Sequence, residues 1–270
     1  MERSPSMLRS RATMTRYARI NSKSGQAAYA RLDDDILTVL TAAPWENPAD
    51  TDEKIAISAA RLLAPVTPSK IVCVGRNYRA HAAELGNDVP AEPLLFFKPP
   101  SSIIGPNDTI ELPNESSHVD HEAELGVVIG SRCRNVSLDR ALDHVFGYTC
   151  VNDVTARDLQ KKDGQWARAK GFDTFCPTGP MLVTNTDPDT LGVRCRVGDV
   201  LRQQGHTRDM IFSVRRLIAY ISGIMTLEPG DLIATGTPHG VGPLAHGDVV
   251  QVQIDEIGTL QNHVRTCATA

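Results

Sequence analysis

His121-Glu122-Ala123-Glu124-Leu125-Gly126-Val127-Val128-Ile129 is the stretch on which the reading of this chain turns. After the acids the run is apolar and β-branched, the composition of a strand. Side chains alternate across a strand, so Glu122 and Glu124 share one face, while Ala123 and Leu125 take the other. Two neighbouring carboxylates repel each other, and a hard divalent cation would relieve the repulsion. The plainer alternative is a solvated strand end with two exposed acids. A second apolar run, Val145 to Val151, ends in Asn152-Asp153 and brings a third acid to a strand end. Carboxylates without a Cys or His cluster beside them favour Mg²⁺ or Mn²⁺ over zinc. Three of them would leave octahedral positions open for substrate and water.

The 270 residues allow one large or two modest domains. With 41% hydrophobic and 22% charged residues the balance is that of an ordinary globular protein. A net charge of -4 argues against a nucleic-acid surface, and the apolar runs are too short to span a bilayer. The six cysteines are scattered without C-x-x-C spacing, which indicates reduced thiols in a cytoplasmic protein. Residues 1–13 are rich in Arg and Ser and lack the apolar core of a secretory signal. A disordered extension is expected there, with an organellar presequence as the alternative.

Short strands are expected at 17–20, 27–32 and 35–40, followed by a Pro- and Asp-rich loop at 44–53. Pro65 and Pro68 mark a linker, so residues 14–68 read as a small N-terminal β domain and 69–264 as a larger one, with a tail at 265–270. Further strands fit 70–75, 94–97, 123–129, 145–151, 180–184, 231–235, 249–254 and 258–260. A helix is expected from Ser137 towards Val145. Apolar residues at three- and four-residue spacing predict an amphipathic helix over 211–227. Many short strands and few helices indicate a mainly β or α+β fold.

Four other patterns carry chemistry. His81 and Glu84 are three apart and would face one side of a helical turn. A carboxylate orienting an imidazole is a usual general-base arrangement, and an ordinary surface pair is the alternative. Lys170 stands among small and apolar residues, where a cation could stabilise an enolate or lie in solvent. Arg157 and Gln160 follow Asp153 and would either support the ligands or contact substrate; pairing of Arg157 with Asp158 or Asp163 is the duller option. The loop Ala234-Thr-Gly-Thr-Pro-His-Gly-Val-Gly242 can present N–H groups and hydroxyls to a carboxylate but lacks the features of a P-loop. His239 has no evident role.

Together these segments resemble the fumarylacetoacetate hydrolase superfamily. The resemblance rests on 70–78, 93–99, 121–125, 152–160, 170–177 and 234–242, in family order across 70–264, and more weakly on 15–65. It implies a mixed β-sandwich roll with a small N-terminal domain, paired as a homodimer. It implies Mg²⁺ or Mn²⁺ at Glu122, Glu124 and Asp153. It also implies a His81–Glu84 acid/base dyad on a lid segment, an active-site lysine at Lys170, and substrate contacts at Arg76, Gln160 and Thr237.

The implied substrate is a small dicarboxylic 2-oxo acid that reacts through a metal-stabilised enolate. Cleavage of a C–C bond, by oxaloacetate decarboxylation or acylpyruvate hydrolysis, is the first expectation. The alternative is isomerisation or tautomerisation of the same class, such as 2-hydroxyhepta-2,4-diene-1,7-dioate or oxaloacetate. A catalytically silent binding paralogue is the third, against which the chain keeps every metal carboxylate and the lysine.

Overall fold

A computed structural model describes residues 13–86 and 88–267. Its described residues are mainly strands, arranged as two facing sheets and a small three-stranded one of Thr155–Ala156, Val119–His121 and Gly242–Pro243. The larger follows the path Asp50–Ala56, Ile36–Leu40, Ala27–Asp33, Arg16–Asn21, Cys176–Val183, Val145–Asn152, Ala123–Ile129, Leu232–Ala234, Ile71–Gly75, Leu94–Lys98. The second has the order Val200–His206, Gly192–Val197, Val249–Ile254, Gly258–Thr266, Thr109–Leu112. Both are mixed: Leu232–Ala234 runs parallel to Ile71–Gly75, and Gly258–Thr266 parallel to Thr109–Leu112, among antiparallel neighbours. This is the mixed β-sandwich expected from the sequence.

Ala123–Ile129 is buried at every position. Leu125, Val127 and Ile129 enter the core between the two sheets with Val193, Val252 and Leu260. Val128 faces the other way, with Val151 and Leu182, under Trp45 and Phe146. A strand covered on both faces has no solvent side, which is why it reads as one continuous apolar run. The four N-terminal strands continue the same sheet, with Arg16 opposite Val183 and Tyr17 opposite Leu182.

Among the described residues four α-helices accompany the sheets: α1 Arg79–Glu84, α2 Arg157–Asp163, α3 Ala167–Gly171 and α4 Val214–Ile224. The amphipathic helix expected over 211–227 is α4, and it is shorter. The Ile211 N–H goes to Asn77 O and the Phe212 N–H to Asn77 Oδ1, so the backbone before Ser213 is committed elsewhere. Val214, Leu217, Ile218 and Ile221 form its buried stripe.

The helix expected from Ser137 is instead a single 3₁₀ turn, Ala141–His144. Leu138 is 51% exposed, and only the end of the segment is apolar on one side, with Ala141 buried and Leu142 and Val145 packed against the core. Part of the loop expected at 44–53 is a strand, Asp50–Ala56, paired with Ile36–Leu40. The hairpin Gly192–Val197 and Val200–His206 was not expected at all. The last strand, Gly258–Thr266, runs into the segment read as a tail. The expected extension falls, apart from Thr13, outside the described residues. No disulfide joins the cysteines; Cys73, Cys133, Cys150, Cys176 and Cys195 are buried free thiols. No described helix is long and apolar enough to cross a membrane.

Candidate active site

The three sequence-predicted ligands converge where strands end. Glu122 sits at the step between Val119–His121 and Ala123–Ile129. Its N–H goes to Asn152 Oδ1 at 2.9 Å, and its carbonyl accepts the Asp153 N–H at 2.9 Å. These bonds tie the end of one strand to the beginning of the next. Gln203 Oε1 accepts the Ala123 N–H at 3.0 Å and so fixes the backbone between the two glutamates. Glu122, Glu124 and Asp153 are all buried, and each offers an oxygen within 4.8 Å of the others.

Three buried cations surround these acids. Lys170 Nζ lies between Glu122 Oε2 at 2.8 Å and Asp153 Oδ2 at 2.6 Å, with the Phe96 ring centroid 4.8 Å away. Lys98 Nζ donates to Asp153 Oδ1 at 2.6 Å and Val154 O at 3.0 Å. Arg157 donates through Nε to Asp120 Oδ2 at 2.7 Å, through a terminal nitrogen to Glu122, and through the other to Gln160 Oε1 at 3.0 Å. Arg157 therefore pairs with neither Asp158 nor Asp163. Asp158 accepts from Ser116 and Ser117, and Asp163 pairs with Arg168.

Burial and charge divide the glutamates. Burial would raise the Glu122 carboxyl, but Arg157 and Lys170 beside it outweigh that and hold it well below the usual range. Burial, then Asp153 and Glu122, push Glu124 well above its ordinary value; Lys170 and the Gly236 N–H offset only part of this. Lys170 stays raised despite its burial because Asp153 and Glu122 favour its charged form. Glu124 has no cation in contact among the described residues, only the Gly236 N–H at 2.8 Å. A buried carboxylate that repels its neighbours is what a hard divalent cation would compensate. The all-oxygen donor set fits Mg²⁺ or Mn²⁺.

His81 and Glu84 meet on α1 as a pair, with Nδ1 and Oε2 3.1 Å apart. The other oxygen of Glu84 accepts the Gly240 N–H at 2.9 Å. The Gly-rich loop thus braces the dyad rather than cradling a phosphate. His81 is buried, and Nε2 makes no hydrogen bond among the described residues. Thr237 is also committed: its hydroxyl donates to Ala123 O at 2.9 Å and receives Gln203 Nε2 at 2.7 Å.

All ten residues given a role from the sequence, Arg157 among them, line one cavity of about 410 Å³. Phe96, Trp166 and Leu85 supply its apolar wall. The sequence reading missed Lys98, Asp120 and Gln203. Lys98 carried a signal, a lone lysine closing the apolar run 94–97, which is the same strand-end pattern that marked Asp153. Gln203 carried none, because its strand was not recognised. His121 turns away to Gln203 Oε1 at 3.0 Å, and its ring is not among the donor groups that converge with Glu122, Glu124 and Asp153.

Comparison with known proteins identifies the family. Residues 70–265 match the family described as fumarylacetoacetate (FAA) hydrolase C-terminal, and residues 15–65 match Rv2993c-like, N-terminal. The chain is 51% identical to the mitochondrial oxaloacetate tautomerase fahd2 of Xenopus laevis, over 75% of this chain and 68% of that protein. It is 47% identical to the oxaloacetate tautomerase YisK of Bacillus subtilis, over 77% and 74%. A crystal structure of 2-hydroxyhepta-2,4-diene-1,7-dioate isomerase from Mycobacterium marinum superimposes with a TM-score of 0.88 at 44% identity, covering 94% of this chain and all of that one. With most of its length matched and its fold shared, this chain belongs to the fumarylacetoacetate hydrolase family.

Proposed function

We propose that the protein moves a proton at C3 of a small 2-oxo dicarboxylate, interconverting keto and enol forms of an oxaloacetate-like acid. The observation that carries this reading is the His81–Glu84 pair. His81 is buried on the wall of the cavity that also holds the three carboxylates, Glu84 stands at its more exposed side, and the outer imidazole nitrogen has no hydrogen-bond partner among the described residues. Kinship to two oxaloacetate tautomerases and to an isomerase structure moves the emphasis from C–C cleavage, the first expectation from the sequence, to proton transfer.

Glu122, Glu124 and Asp153 would hold Mg²⁺ or Mn²⁺. When bound, the ion would polarise the 2-oxo group and neutralise charge developing on its oxygen. Glu84 accepts from His81 Nδ1 and leaves Nε2 as the basic nitrogen. His81 Nε2 takes the C3 proton as the C–H pair becomes the C2–C3 double bond. Return of that proton to the oxygen gives the enol, and return to C3 restores the keto acid. Lys170 adds fixed positive charge close by. Phe96 and Trp166 keep part of the wall free of competing water.

The test follows enol absorbance and pyruvate release together in Mg²⁺-loaded protein given oxaloacetate. Accelerated keto–enol exchange is expected, falling about 10²- to 10⁴-fold in His81→Asn. Pyruvate formation in step with enol loss would instead make the protein a decarboxylase. Unchanged exchange in His81→Asn would remove the dyad from the reaction.

A further inference from the structure

We propose that Lys161, acting with Arg76, takes the second carboxylate of the substrate and makes the cavity selective for dianionic 2-oxo acids. This rests on the reading above that a 2-oxo acid binds at the carboxylate cluster. The argument begins with which charges are already used. Lys98, Arg157 and Lys170 are buried and each is bonded to a carboxylate. None is left over for a substrate end lying away from the cluster.

Arg76 and Lys161 differ from these three. Both line the cavity, and neither makes an ion pair or side-chain hydrogen bond among the described residues. Lys161 stands one turn after Arg157 on α2, on the helix face that carries Arg157 to Glu122. Arg76 follows the strand Ile71–Gly75 with φ of 57°, a left-handed backbone uncommon for a residue with a side chain. Two unpaired cations thus approach the cavity from separate elements.

The charge balance points the same way. Asp120, Glu122, Glu124 and Asp153 exceed their three buried cations by one negative charge. A divalent ion would leave the inner site with a single positive charge, enough for one carboxylate. A dicarboxylate then needs a second cationic partner, and Arg76 and Lys161 are available. Phe96 and Trp166 offer aromatic surface without charge to whatever joins the two ends.

The experiment compares oxaloacetate with its 4-ethyl ester, which keeps the reacting C3 but loses the distal charge, in wild type, Lys161→Gln and Lys162→Gln. Lys161 is exposed, so its effect is that of a screened ion pair. kcat/KM for oxaloacetate should fall about 2- to 5-fold through KM in Lys161→Gln, and the loss should shrink at high salt. The ester should be unaffected, and Lys162→Gln, whose side chain lies off the cavity, should match wild type. Arg76→Gln, half-buried, should cost about 10-fold or more.

Calorimetric binding of malate and lactate to the Mg²⁺-loaded protein needs no turnover. Lys161→Gln should weaken malate and leave lactate unchanged. Equal losses for both acids, or none for malate, would overturn the subsite. Weakened malate binding in a protein that does not exchange keto and enol would keep the subsite and sink only the tautomerase reading.

Discussion

Glu124→Gln should make the metal-free protein more stable and abolish its response to Mg²⁺. In the wild type, Glu124 has an oxygen within 4.8 Å of Glu122 and Asp153 and, among the described residues, no cation in contact. At 4.8 Å, two unit charges interact by about 3.5 kcal/mol at an effective dielectric near 20. Glu124 meets two such charges, and Lys170 cancels roughly one, which leaves about 3 kcal/mol of net repulsion. A neutral glutamine removes it, keeps an oxygen for the Gly236 N–H, and turns an amide N–H towards its acidic neighbours. Allowing for an imperfectly placed amide, the metal-free variant should gain about 1–3 kcal/mol. For a chain of this size that is a rise in Tm of about 2–10 °C.

The assay is thermal unfolding in EDTA and in Mg²⁺. Wild type should gain about 2.7 kcal/mol when Mg²⁺ is held at about 100 times its Kd, and the variant almost nothing. The sign with pH is fixed by the direction of each shift. Glu124 is raised, so its contribution to metal-free stability is present below the usual 4.5 and lost as pH rises towards its shifted value. Glu122 is lowered, so its contribution is present above 4.5 and lost on acidification. The advantage of Glu124→Gln should therefore vanish near pH 4.5 and grow with pH. Mg²⁺ affinity of the wild type should also rise with pH as Glu124 sheds its proton. A metal-free variant that melts below wild type and is still stabilised by Mg²⁺ would refute the argument.

Lys170→Met removes the cation between Glu122 and Asp153 and should cost about 3–5 kcal/mol in EDTA, as breaking a buried pair does. Calorimetric melting should show Mg²⁺ restoring part of that loss, because the ion supplies charge to the same oxygens. Gly240→Ala places a Cβ 2.2 Å from Arg202 O at a backbone φ of +93°. It should cost about 1–3 kcal/mol and slow keto–enol exchange by loosening Glu84, while the rise in Tm with Mg²⁺ is unchanged.

The acidic cluster was legible because a strand fixes the faces of residues two apart, and because apolar runs that end in acids are short, local patterns. Glu122, Glu124 and Asp153 needed no long-range information beyond two strand ends meeting. The His81–Glu84 pair was legible for the same reason, one helical turn setting the contact. Pairing across long separations was not. Arg157 meets Asp120 and Glu122, 37 and 35 residues away, whereas the partners the local sequence offered were Asp158 and Asp163. A guanidinium beside a local carboxylate on a short helix carries no mark of which partner is buried with it.

Within the second sheet, whose strands at 249–254 and 258–260 were expected, the hairpin Gly192–Val197 and Val200–His206 was the larger omission, and it decided which supporting residues stayed hidden. Val200–His206 is strongly polar, with Arg202, Gln203 and Gln204 in succession, so composition alone does not mark a strand. Gly198-Asp199 between Val197 and Val200 was the available sign, since a glycine at positive φ suits a two-residue hairpin turn. Recognising that hairpin would have placed Gln203 beside a buried partner strand. There its amide oxygen takes the Ala123 N–H and the His121 ring, and its amide nitrogen reaches Thr237 and Pro238. One uncharged side chain thus locks the backbone between the two glutamates to the loop whose Gly240 N–H braces Glu84. The groups to which we assign the chemistry announce themselves by charge. The group that sets their spacing is neutral and distant in sequence, and only the pairing of the sheets brings it to them.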